Sequence, residues 1–136
     1  MYELLNRDRM NPANAAEAGR RAQPLRWNEK LAAIARAHSR DMIRRGYFDH
    51  VDPDGRSPGD RMRAAGIDWR ESGENIAIGP TVAQAEASLM NEPRFQQNHR
   101  WNILNSKYTE VGIGIARGPG GEYYITQDFI ESAAVR

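Results

Sequence analysis

Residues 109–116 read TEVGIGIA, and their alternation puts Val111, Ile113 and Ile115 on one face and Glu110, Gly112 and Gly114 on the other. This is the period of a half-buried β-strand. After the turn-forming run RGPGGE at 117–122, a second β-rich stretch follows, YYITQDF at 123–129, so the C-terminal third reads as an antiparallel hairpin.

Upstream of Thr109 the period changes. Leu31, Ile34, Ala35, His38 and Met42 recur at spacings of three and four behind Asn28, with Glu29 in the first turn and Arg44, Arg45 and Gly46 at the end. That pattern predicts a helix capped at Asn28 and stopped at Gly46. Ser57, Pro58 and Asp60 predict a capped helix that Gly66 ends. Thr81 and Gln84 form a capping-box pattern for a helix over TVAQAEASLMNE that ends before Pro93, with Val82, Ala85 and Leu89 inward and Glu86 half exposed beside them. The run ENIAI at 74–78 predicts one further strand. Helices come first and most strands last, which is an α+β order and not the βαβ alternation of a doubly wound sheet.

The chain has 136 residues, the usual size of one domain, and is expected to form a single domain over 1–136, with residues 1–24 a short first helix and a polar connection. Net charge is +1, which gives no strong field for nucleic acid or anionic membranes. The absence of cysteine excludes disulfide scaffolds, thiolate metal sites and a cysteine nucleophile. No run of about 18 apolar residues is present, and MYELLNRDRM lacks the layout of a signal peptide. Either the protein stays inside, or an export signal has been removed.

Three histidines, His38, His50 and His99, limit where imidazole chemistry can occur. His38 lies on the apolar stripe of the main helix and reads as a core residue bonded to backbone. His50 stands between the helix stop and the turn DPDG at 52–55, where a side chain can reach a cleft, and its spacing fits a functional or a structural residue equally. The Asp-x-Asp-Gly of that turn is not a calcium loop, because Arg63 stands where an EF-hand places its twelfth-position glutamate. Glu74 fits a solvated strand start or a carboxylate beside an imidazole. Glu110 shares its strand face with Gly112 and Gly114, which leaves room either for a pocket or for a helix packed on the glycines. No Gly-x-Ser-x-Gly, His-Glu-x-x-His, P-loop or dinucleotide fingerprint occurs.

Five ordered blocks carry a resemblance: PLRWNEKLAAIARAHSRDMIRRGYFDH, DPDGRSPGDRMRAAG, GENIA, HRWNILNSKYTEVGIGIA and YYITQDF. Together they make the chain similar, from about Leu4 to Phe129, to the bacterial CAP domains of the cysteine-rich secretory protein, antigen 5 and pathogenesis-related 1 superfamily. The resemblance implies an α-β-α sandwich with a small antiparallel sheet between helices, and a secreted or surface location. It implies a cleft of histidines and glutamates, here His50, Glu74, Glu92, His99 and Glu110, with His50, Glu74 and His99 as metal candidates for a divalent cation such as zinc. The segment between Asn91 and His99 is about four residues longer than in typical bacterial members. Three functions fit this pattern. The first is a binding module for a lipid, peptide or cell-wall component. The second is a metal-dependent hydrolase with His50, Glu74 and Glu110 as candidate catalytic groups. The third is a structural or interaction domain with no ligand.

Overall fold

The computed structural model describes residues 1–18 and 23–133. The first helix, α1, spans Tyr2–Met10, and a 3-10 turn at Pro12–Asn14 leads into α2, Ala15–Ala18. Residues 19–22 of the expected polar connection lie outside the described residues. The order continues as β1 (Arg26–Trp27), α3 (Glu29–Arg45), α4 (Pro58–Ala64), β2 (Trp69–Gly79), α5 (Val82–Met90), α6 (His99–Leu104), β3 (Glu110–Arg117) and β4 (Tyr123–Ser132). The expected caps are in place. Asn28 accepts from the Leu31 N–H, Gly46 ends α3 at φ 68°, Ser57 and Asp60 form a reciprocal capping box, and Thr81 accepts from the Gln84 N–H.

The sheet runs β1-β3-β4-β2. The predicted β3–β4 hairpin forms with Gly112 opposite Asp128, and β2 pairs antiparallel with β4 so that Glu74 also lies opposite Asp128. The strand expected at 74–78 is longer, Trp69–Gly79, and β1 adds a two-residue parallel strip beside β3 that the sequence reading missed. Helices cover both faces, giving the α-β-α sandwich. One face buries Leu31, Met62, Ile67 and Ile130 under α3 and α4; the other buries Leu5, Leu89, Ile103 and Phe129 among α1, α5 and α6.

On β3 the choice between pocket and helix is settled by distance. A Cβ on Gly112 would lie 2.1 Å from the Ala32 nitrogen, and one on Gly114 would lie 2.0 Å from the Arg36 nitrogen. The α3 backbone therefore rests directly on the strand, and Ser39 Oγ completes the contact by donating to the Gly114 carbonyl at 3.1 Å.

The other layer is tied by buried polar groups. Arg9, 2% exposed, donates from Nη1 to the Ile103 and Asn105 carbonyls at 2.9 Å each, and burial lowers its pKa to about 10. Glu86, expected to be half exposed, is fully buried and takes a hydrogen bond from Gln127 Nε2 at 3.0 Å. Its place beside the stripe turns it toward β4 rather than solvent. Helix α5 also stops at Met90, short of the expected Glu92, because the Asn91 backbone leaves the helical region at ψ 63°.

Two predictions follow from this packing. Gly114→Ala drives a methyl into the α3 backbone and is expected to cost about 3 kcal/mol, or roughly 10 °C in melting temperature; an unchanged melting curve would contradict the contact. Burial, reinforced by Asp8, raises the Glu86 pKa to about 8 from 4.5. The folded chain thus keeps a proton that the unfolded chain loses, and this stabilisation is complete below pH 4.5 and gone above about pH 8. Urea titrations should find Glu86→Gln more stable than the parent above pH 8, with the gap closing as pH falls to 4.5.

Candidate functional site

His50 follows α3 and is held by the turn beside it. Asp52 Oδ1 accepts the Asp54 and Arg56 N–H groups at 3.0 and 2.9 Å, and its Oδ2 takes Arg56 Nε at 2.9 Å. Its oxygens are thus committed to fixing the loop, as expected of a turn and not of a calcium site. Beneath the loop His38 is buried and donates from Nε2 to the Asp49 carbonyl at 2.9 Å, and burial lowers its pKa, which favours the neutral ring. The core reading of His38 holds.

The His50 ring is 44% exposed, whereas the Glu74 side chain is 1% exposed. His50 Nδ1 lies 2.9 Å from Glu74 Oε1. A carboxylate only accepts, so Nδ1 carries a proton, and in the neutral ring Nε2 is then the remaining acceptor. Arg61, on α4, donates from Nη1 to Glu74 Oε2 at 3.0 Å and from Nη2 to the His50 carbonyl. Asp128 lies opposite Glu74 and is fully buried, and no N–H or O–H of another described residue reaches either of its carboxyl oxygens. Its pKa is pushed well up by burial and by the Glu74 charge. Both causes favour the protonated acid, which makes Asp128 the donor toward Glu74 in this pair. Burial alone would raise the Glu74 pKa, but the hydrogen bonds of His50 and Asp128 and the Arg61 charge bring it down to about 2. The product is an imidazole oriented by a buried carboxylate that three partners favour in its charged form.

The remaining candidates are placed elsewhere. His99 Nδ1 lies 2.8 Å from Glu92 Oε2, and Glu92 Oε1 accepts the Arg100 N–H at 3.0 Å. These two form a second imidazole–carboxylate pair at the start of α6, a helix the sequence reading missed although Asn98 caps it by accepting the Trp101 N–H. The second pair is linked to the first through β2, where Asn75 donates to the His99 carbonyl at 3.1 Å and Asn102 to the Glu74 carbonyl at 3.3 Å.

Glu110 does not join either pair. It accepts from Asn28 Nδ2 at 2.8 Å and faces Arg26 at 3.5 Å, so it braces the cap of α3, and the shared cleft expected with His50 and Glu74 does not form. The metal set His50, Glu74 and His99 is likewise not assembled, and the described residues contain no group of three or more His, Asp or Glu that could hold a metal ion. A cation on Glu74 would have to share its oxygens with the Arg61 guanidinium, so this donor set does not fit zinc in the arrangement seen. Arg61 and Asp128 were missed as site residues. The signal for Asp128 was the polar run Thr126-Gln127-Asp128 inside an apolar strand, all three fully buried.

The model of the cysteine-rich secretory protein (CAP) family matches residues 2–129. The Bacillus subtilis protein YkwD is 39% identical over 118 residues, 86% of this chain and 43% of that protein. The Bacillus subtilis membrane protein YlbC is 39% identical over 111 residues, 79% of this chain and 29% of that one. The chain thus spans less than half the length of these curated relatives. Among solved structures, an extracellular protein from Bacillus anthracis containing an SCP domain superposes with a TM-score of 0.75 at 29% identity, over 96% of this chain and 39% of that one. Among the described residues no helix is long and apolar enough to cross a membrane.

The proton on Asp128 is the testable element of the site. Asp128→Asn keeps a donor toward Glu74 without a buried acid, and its folding stability at neutral pH should equal or exceed that of the parent. Asp128→Ala removes the donor and leaves a gap, and should cost about 2–3 kcal/mol. Denaturant unfolding of the two variants measures this, and an Asn variant as unstable as the Ala variant would refute the shared proton.

Proposed function

The chain belongs to the cysteine-rich secretory protein (CAP) family, and on that premise we propose that it works outside the cytoplasm as a binding domain in which His50 reads a polar group of an envelope ligand. The observation that carries this reading is the His50–Glu74 pair. One ring nitrogen is fixed on a buried carboxylate and the 44% exposed ring offers the other as an acceptor. Such an arrangement recognises a hydroxyl or amide N–H at little cost in side-chain entropy.

Phe48 and Val51 flank the histidine and are 50% and 45% exposed. Their apolar surface beside an oriented acceptor suits a ligand that joins an apolar group to a hydrogen-bond donor, as cell-wall peptides and lipids do. Location outside the cytoplasm is supported by the extracellular Bacillus anthracis relative.

A metal-dependent hydrolase is the second reading, and the observation in its favour is the same carboxylate-backed imidazole, which has the arrangement of an oriented base. It needs a cation that the Arg61-bound Glu74 does not accommodate as placed.

Co-sedimentation with purified Bacillus cell walls, and flotation with phosphatidylglycerol vesicles, should show binding that falls about tenfold in His50→Ala while the variant remains folded. Retention by either material that is equal for parent and variant would remove His50 from recognition. Stoichiometric zinc held through dialysis and lost in His50→Ala would favour the hydrolase instead.

A further inference from the structure

The segment between α5 and α6 is a closed loop built to present one side chain. At its neck Glu92 bonds both His99 Nδ1 at 2.8 Å and the Arg100 N–H at 3.0 Å, joining the two ends. Its body is anchored to α2, where Glu17 Oε2 accepts the Phe95 N–H at 3.2 Å. Glu17 is itself fixed by Arg100, whose Nη2 lies 2.8 Å from Oε1, and the Arg100 hydrogen bond is the main cause of its lowered pKa. Arg100 also donates to the Met90 carbonyl at 2.7 Å, so the last turn of α5, α2 and α6 all hold this loop.

At the tip stands Phe95. It is the one non-glycine residue with positive φ, at 59°, among the described residues, and it is 68% exposed, more than any other large apolar side chain described. A bulky residue in the left-handed region costs on the order of 1 kcal/mol or more and persists only where surrounding contacts impose it. Folding gains little from this arrangement, because about two thirds of the residue stays exposed at 68%. An exposed aromatic held in a strained backbone by a buried ion pair points to a binding role.

What it binds follows from the cavity beside it. Phe95, Trp101 and Leu104 together with Glu17, Asn105 and Ser106 line a space of about 180 Å³. Half of this lining is polar, which disfavours a lipid chain, and the two aromatic rings disfavour a small ion. Apolar faces set beside an amide and a hydroxyl, with the Glu17 carboxylate already taken by Arg100 and the Phe95 N–H, match a ring with C–H faces and hydroxyl edges, and the space holds one such ring. We propose that the Phe95 loop and Trp101 form a carbohydrate subsite that takes one pyranose ring of a glycan, with Phe95 as its stacking residue. The subsite does not rest on the His50 reading, since none of its lining residues belongs to the His50–Glu74–Arg61–Asp128 cluster.

Isothermal titration with chitohexaose and cellohexaose tests this. Saturable binding of at least one of the two is expected, with affinity lowered about tenfold or more in Phe95→Ala. Phe95→Gly removes the strain, so its melting temperature should equal or exceed that of the parent while binding is lost, a divergence that a purely structural loop would not produce. The proposal is overturned if neither oligosaccharide binds, if Phe95→Ala binds as the parent does, or if Phe95→Gly melts earlier.

Discussion

A charged carboxylate with 1% of its side chain exposed is the constraint around which this half of the molecule is organised. Glu74 comes from β2, and the cost of removing its charge from water is several kcal/mol unless partners compensate. The partners come from three other places: His50 from the loop after α3, Arg61 from α4 and Asp128 from β4. Compensation of one charge therefore fixes the relation of a loop, a helix and two strands. Arg61 extends the effect by also holding the His50 carbonyl, so the histidine is restrained through both ring and backbone.

That cluster depends in turn on how closely α3 lies on the sheet. Gly112 and Gly114 let the helix backbone touch β3, and Ser39 then reaches both the Gly114 carbonyl at 3.1 Å and Thr126 Oγ1 at 2.8 Å. With α3 set at this height, its C-terminal end and the loop that follows come down beside Glu74. The second pair, Glu92 and His99, has a different task in the same fold. It closes the neck of the loop that carries Phe95, so two pairs of like composition differ in use because one sits on a buried strand and the other at a loop base.

The capped helices were legible because caps are local: Asn28, Ser57 and Thr81 each bond a backbone N–H three residues on. The β3–β4 hairpin was legible from its alternation. Helix α6 was not, since six residues provide too few turns for a periodic signal. The parallel strip β1 was missed because two residues carry no pattern at all. At the site, spacing left His50, Glu74 and Glu110 open, and the family resemblance placed all three in one cleft; the room on the Glu110 strand face fitted a pocket or a packed helix equally. That room is filled by the α3 backbone, and the carboxylate turns to Asn28.

The sequence by itself determined the helix limits set by caps, the α+β order, the core position of His38 and the loop position of His50. Each rests on contacts within a few residues or on a period along one element. Tertiary structure alone decided that Arg61 and Asp128 complete the Glu74 cluster, that Glu86 is buried, that His99 joins Glu92 and not His50, and that Phe95 is held out in a strained loop. These depend on which side chains meet after distant elements pack, and on a buried charge or polar group drawing its partners from whichever neighbours the packing supplies.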